Sequence, residues 1–319
     1  MRPFYIFSGS LISKENDSLL IKKEDGEVNL PIEAVDSIFI FGNTTITSPV
    51  LNILAKKGIP VILYSFNGNY LTSIFPENYL ESGIVLVKQV ECYLNLERRM
   101  YLARRFVEGA ALNMNKVLKK FGADTIDIPI DRINSSSNVN ELMGIEGKIN
   151  DSYFSSIDTI LPENFQIGNR ERRPPTNMGN AVISFGNTLV YSLVTSEIFG
   201  THLNPAISFL HEPGSRRSSL ALDVSEIFKP LFSHSVVISL IKRKILKETD
   251  FLDNGGVFLS ESGKKKFISE FDSKIMETYY VNNLKRKVTY KRIVRLELYK
   301  IEKFIVEHSL YKPFSPRRW

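Results

Sequence analysis

The amino-acid sequence predicts an α+β protein of two domains, a small N-terminal mainly-β domain and a larger all-α C-terminal domain. Three observations carry this prediction. The first 75 residues hold five short β-branched or aromatic runs separated by polar and glycine-bearing turns; the hydrophobic period changes after Phe75-Pro76; and no proline occurs from 83 to 121, where apolar residues recur at helical spacing. The domains are expected at 1–76 and 84–319, with 77–83 as linker.

The expected strands are 4–7, 18–22, 27–30, 37–41 and 61–65, and Glu24-Asp25-Gly26 marks a hairpin between the second and third. One helix interrupts them. Thr47-Ser48-Pro49 supplies a capping hydroxyl and a first-turn proline, Val50, Ile53 and Leu54 follow at helical spacing, and Gly58 closes the segment. Beyond residue 83, helices are expected over 83–121, 140–161, 177–199, 225–247, 262–276 and 288–309. In the last, Val294, Leu298, Ile301 and Ile305 form one apolar stripe and leave Lys291, Arg292, Arg295, Lys300 and Lys303 largely outside it.

Of 319 residues, 43% are hydrophobic and 24% charged, which excludes disordered and collagen-like classes. No apolar stretch approaches the ~18–20 residues of a membrane span and the first residues lack a secretory core, so a cytoplasmic protein without a membrane partner is expected. The single cysteine, Cys92, rules out an intramolecular disulfide and a multi-cysteine zinc site, and it reads as a small buried hydrophobe. The net charge of +6 is concentrated in residues 264–319, which carry 15 basic against 6 acidic side chains. That is the footprint of a polyanion binder or of a solvated helix face. The segment 311–319 mixes aromatics, prolines and cations, and suits a partner, DNA or a frayed end.

Three places hold chemistry-bearing residues. His211 ends the apolar run Phe209-Leu210 at a turn, and Asp223 and Glu226 stand three apart at an expected helix start. Those carboxylates repel unless a cation, a proton or separation relieves them; the plainer account is that they favour a helix N-terminus. One imidazole with carboxylates and no thiolate suits Mg²⁺ or Mn²⁺ better than zinc. The third place is Glu146, between Gly144 and Gly147 in a helical pattern. Each glycine costs about 1 kcal/mol against alanine there, which close approach of DNA or of another helix offsets. No G-x-S-x-G elbow supports a Ser-His-Asp site, and no glycine-rich phosphate loop is present.

Four ordered motifs carry a resemblance: Leu142-Met143-Gly144-Ile145-Glu146-Gly147, then Arg173-Pro174-Pro175 with Asn180-Ala181-Val182-Ile183-Ser184-Phe185-Gly186, then Phe209-Leu210-His211-Glu212, and Ser219-Leu220-Ala221-Leu222-Asp223. Over nearly its whole length the sequence resembles the CRISPR-associated spacer-integration endonuclease, the adaptation integrase of CRISPR systems. The resemblance implies a β domain joined to a helical domain, with Glu146, His211 and Glu226 as metal ligands, Asp223 as the neighbouring acid, and Arg173, Arg216 and Arg217 near the DNA backbone. At position 226 some relatives have Asp. It also implies a Mg²⁺- or Mn²⁺-dependent reaction in which a 3′-hydroxyl of a short double-stranded DNA fragment attacks a phosphodiester of the CRISPR repeat, with water in its place giving cleavage. A homodimer, with the β domain as dimer platform, and a small ferredoxin-like adaptation protein as partner are implied as well. The rival readings are a non-catalytic DNA-binding protein and a metal-dependent nuclease of RNA or branched DNA.

Overall fold

The computed structural model describes residues 2–24, 26–75, 80, 82–171, 174–214 and 218–317. The chain forms two compact units, residues 1–80 and 81–319. Most of the expected linker 77–83, with Asp25 of the expected hairpin turn, lies outside the described residues.

The first unit contains β1 (Arg2–Phe7), β2 (Ser10–Glu15), β3 (Ser18–Lys23), β4 (Gly26–Pro31), β5 (Val35–Phe41), β6 (Thr44–Ile46), α1 (Ser48–Lys57), β7 (Val61–Tyr64) and β8 (Tyr70–Ile74). They build two four-stranded sheets, ordered β1-β5-β7-β8 and β4-β3-β2-β6. Strand β5 runs parallel to β1 and β7, which requires the crossovers that the β2–β4 meander and α1 provide. Its residues are buried on both faces: Ile38 and Ile40 join a core with Ile12, Leu19, Val50 and Leu54, while Phe39 and Phe41 stack on Tyr5, Phe7 and Tyr64. Helix α1 has Pro49 in its first turn and stops at Gly58, whose φ of 69° is left-handed and whose N–H bonds Leu54 and Ala55 carbonyls. Strands β2, β6 and β8 were not among the expected ones.

The second unit contains α2 (Gly83–Leu94), α3 (Leu96–Phe121), α4 (Ile130–Ser135), α5 (Val139–Asp158), α6 (Met178–Ile198), α7 (Ser219–Phe228), a π-helical turn (Lys229–His234), α8 (Ser235–Lys242), β9 (Phe251–Asp253), β10 (Val257–Leu259), α9 (Glu261–Met276), β11 (Thr278–Val281), β12 (Arg286–Thr289) and α10 (Tyr290–Glu307). The expectation of an all-α C-terminal domain is therefore overturned: the helical region carries two antiparallel hairpins, and the fold is mixed α/β. The first hairpin turns through Asn254-Gly255-Gly256, with left-handed φ at Gly255, and it leans on Pro174-Pro175, where Val257 N–H donates to the Pro175 carbonyl at 2.9 Å. The second pairs Thr278-Tyr279-Tyr280-Val281 with Arg286-Lys287-Val288-Thr289, β-branched and aromatic residues suited to strands.

Two helices also break where one was expected. The run 83–121 divides at Asn95, whose side chain caps α3 by accepting the Arg98 N–H at 3.0 Å. The run expected over 225–247 instead begins at Ser219 and widens into the π turn at Lys229-Pro230. Proline has no N–H to offer the carbonyl four residues back, that of Glu226, and the wider turn accommodates the gap. The helical run Ser219–Lys242 is long and apolar enough to cross a membrane by length and composition, contrary to the sequence expectation, and 83% of its apolar window is buried within the unit. Cys92 is fully buried, as expected, and burial pushes its thiol up to about 11.

Candidate functional site

Asp223 organises the site. It lies in the second turn of α7, not at the helix start, and is fully buried. One carboxylate oxygen accepts the backbone N–H groups of Phe209 at 2.6 Å and Leu210 at 2.9 Å, and the other accepts the N–H of His211 at 2.9 Å. The second oxygen also receives His211 Nδ1 at 2.8 Å. A carboxylate can only accept, so in the neutral ring Nδ1 carries the proton and Nε2 keeps its lone pair. The buried acid thereby shapes the loop before α7 and fixes the tautomer of its histidine, the usual support for a ligating imidazole. Asp223 itself has its lone pairs engaged by this loop.

The loop is also held from α2 and α3. Arg99 Nε donates to the Phe209 carbonyl at 3.0 Å, and its Nη2 pairs with Glu212 at 2.6 Å, while the Tyr93 hydroxyl donates to the other Glu212 oxygen at 2.9 Å. Arg99 lies over the Tyr93 ring, 4.4 Å from its centroid. These bonds leave His211 a quarter exposed, with Nε2 directed away from Asp223.

Glu226 stands one turn beyond Asp223 on α7 and is mostly buried. Its carboxylate pairs with Lys229, the first residue of the π turn. Glu146 projects from the middle of α5 and is half-buried. Burial, and then the neighbouring Glu226 carboxylate, push its carboxyl up to about 7, against the opposing charges of His211 and Lys229. Glu146, Glu226 and His211 thus share one poorly solvated environment. For His211, burial lowers the imidazole, but the hydrogen bond and charge of Asp223, helped by Glu226 and Glu146, outweigh it and raise the pKa above its ordinary value.

Asp223 supports His211 from behind, and the charges of Glu226 and His211 are felt at the buried Glu146 carboxyl. Arg173, Arg216 and Arg217 lie outside the described residues. A β-carbon added to Gly144 or Gly147 would meet nothing within 4 Å, so among the described residues no helix packs on the glycines beside Glu146. Ser219 spends its hydroxyl on the Ala206 carbonyl at 2.7 Å and is not turned to His211. Two residues were missed. Lys229 was legible as the i+3 partner of Glu226. His234 is buried between the Tyr153 hydroxyl at 3.3 Å and Asn187 Oδ1 at 3.1 Å, and burial holds its pKa well below the ordinary range.

The donor set suits a hard or borderline divalent cation: an imidazole nitrogen presented by a buried carboxylate, and two carboxylates whose crowding a cation relieves. Among the described residues no three such side chains already stand together as a metal-binding group, and Lys229 occupies the Glu226 carboxylate. The fit is therefore one of donor chemistry, with Glu226 able to exchange one cationic partner for another.

A family profile described as CRISPR associated protein Cas1 matches residues 4–273, and the chain belongs to that family. It is 41% identical to CRISPR-associated endonuclease Cas1 3 of Thermodesulfovibrio yellowstonii, over 99% of each chain. It is 45% identical to CRISPR-associated endonuclease Cas1 of Methanothermobacter thermautotrophicus, over 98% of this chain and 94% of the relative. A solved Cas1 structure from Thermotoga maritima, 34% identical, superposes with a TM-score of 0.90 over 98% of this chain and 100% of that one. A casposase bound to integration product has the same fold at 21% identity, with a TM-score of 0.90 over 100% and 94% of the two chains. The fold recurs in a Cas6-RT-Cas1–Cas2 complex, at 18% identity and a TM-score of 0.79, over 97% of this chain and 36% of that one.

Proposed function

We propose that this chain is a divalent-metal-dependent DNA endonuclease and integrase of CRISPR adaptation, which joins the 3′-hydroxyl ends of short DNA fragments to the CRISPR repeat by transesterification. The observation that carries this reading is the His211 ring held at Nδ1 by the buried Asp223 carboxylate at 2.8 Å, which leaves Nε2 for a ligand, in surroundings where burial and the Glu226 carboxylate push the Glu146 carboxyl up to about 7. Such crowding of acids is unfavourable by itself and becomes favourable beside a cation. The endonuclease names of the curated relatives support the nuclease part, and the casposase with its integration product supports the strand-joining part by fold.

Glu146, Glu226 and the free Nε2 of His211 would hold Mg²⁺ or Mn²⁺. When bound, such an ion neutralises charge on the non-bridging phosphate oxygens and lowers the pKa of the attacking hydroxyl or water. The protein's own residues do the rest. Asp223 keeps His211 in the ligating tautomer, and Lys229 retains positive charge at the site. Gly144 and Gly147 leave the surface of α5 bare on both sides of Glu146, which admits a sugar–phosphate backbone. The working assembly is a homodimer on double-stranded DNA together with a small ferredoxin-like partner; that the partner is of the Cas2 kind is supported by the fold shared with the Cas6-RT-Cas1–Cas2 complex.

The test is cleavage and strand transfer on 3′-hydroxyl DNA with Mg²⁺ or Mn²⁺, comparing the wild type with Glu146→Ala, His211→Ala and Glu226→Ala at matched folding. All three variants are expected to bind DNA and to lose more in both reactions than the roughly 10–100-fold that loss of a metal ligand's supporting partner costs. Wild-type protein that binds DNA but neither cuts nor joins it with either ion would overturn the proposal.

A further inference from the structure

The segment after α10, read from sequence as partner-binding, DNA-binding or frayed, packs back into its own unit. Tyr311 is 1% exposed. Its hydroxyl donates to Glu297 Oε1 at 2.5 Å, and the Phe314 N–H donates to the same oxygen at 3.0 Å. Lys300 Nζ, one turn along α10, donates to the Lys312 carbonyl at 2.6 Å. The segment then crosses α3 at Gly109, where an added β-carbon would lie 2.6 Å from Pro313 Cβ and 3.6 Å from Ile227 Cγ1. The segment, α3 and the end of α7 therefore meet at one point.

Asn113, one turn beyond Gly109 and fully buried, joins the three. Its Nδ2 donates to the Phe314 carbonyl at 2.9 Å and to the Ile227 carbonyl at 2.9 Å, using both amide hydrogens. Ile227 follows Glu226 directly, and Phe228 stacks on Phe314 with ring centroids 6.1 Å apart. These contacts fall where α7 yields to the π turn, so the helix's own hydrogen-bonding is irregular just where Glu226 must be aimed. A buried amide spanning two backbone carbonyls fixes a geometry that an apolar filler would leave free.

We propose that Asn113 is a positioning residue through which the segment 311–317 holds the end of α7, and with it Glu226, at the depth the nuclease reaction needs. The proposal rests on the reading of Glu226 given above. A misplacement near 1 Å is enough to cost one to two orders of magnitude in rate, so the predicted effect is on turnover and not on DNA binding.

The experiment compares wild type, Asn113→Ala and Tyr311→Phe in the full chain. Tyr311→Phe removes only the hydroxyl bond to Glu297, which does not touch α7, and so remains informative if Asn113→Ala fails to fold. Hydrogen exchange over 219–228 is measured beside kcat and KM for Mn²⁺-dependent DNA cleavage. Faster exchange in 219–228, with kcat lower by roughly tenfold and KM unchanged, is expected in the folded variants. Faster exchange confined to 311–317, with wild-type kcat, overturns the proposal, as does a rise in KM alone. If the wild type cleaves no DNA, the nuclease reading fails, and the exchange of 219–228 in Tyr311→Phe still decides whether the segment holds α7.

Discussion

At the scale of single residues, the site opposes stability and function. The folded Glu146 carboxyl, near 7, lies above the roughly 4.3 of an unfolded glutamate. Its contribution to stability is therefore complete below the unfolded value and is lost as the pH rises through 7. Glu146→Gln should stabilise the metal-free protein by roughly 1–3 kcal/mol at about pH 8 and change it little at about pH 4. Thermal melts at the two pH values check both halves of this. For activity, His211 must be neutral and Glu146 ionised, and both environments raise the pH at which that holds. The cleavage rate should fall on the acid side already above the ordinary histidine range near 6.5, with a slope steeper than one proton, in a pH–rate profile. A rate that stays flat down to about pH 5 would exclude His211 as a neutral ligand. These residues were legible because each sits in a short local motif. What escaped notice was Asp223's occupation by three backbone N–H groups, because the loop it binds lies more than ten residues away and only folding brings the two together.

At the scale of elements, strong periodicity was read correctly and weak periodicity was not. Helices α5, α6 and α10 have long buried runs, and their signal survives in sequence. Strands β9 and β10 have three residues each, too few to show alternation, and only Asn254-Gly255-Gly256 announced the hairpin. Strand β2, Ser-Leu-Ile-Ser-Lys-Glu, buries mainly Ser10 and Ile12 and reads as loop without its neighbours. The division at Asn95 had no proline to reveal it. The hairpin permits a sharp prediction: a β-carbon on Gly256 would lie 2.5 Å from Pro174 Cβ, at a φ of 152° that L-residues rarely adopt. Gly256→Ala should destabilise the protein by about 1–3 kcal/mol, while Gly255→Asn, at a left-handed φ that asparagine tolerates, should cost less. Denaturant midpoints of the two variants give the comparison.

At the scale of the whole molecule, the chain forms two compact units, residues 1–80 and 81–319, and the strand content of the second was not legible in the sequence. A helical majority conceals two small hairpins, since two-stranded ribbons gain their stability from the helices beneath them and not from their own sequence. One feature of that unit bears on its biosynthesis. The apolar run Ser219–Lys242 leaves the ribosome about 70 residues before Phe314, which stacks on its Phe228. At ordinary elongation rates the interval is about 4–14 s, and α2–α6 alone cover the stretch until α9 and the segment carrying Phe314 follow. The nascent chain therefore passes through a stage at which its most hydrophobic helix is partly bare.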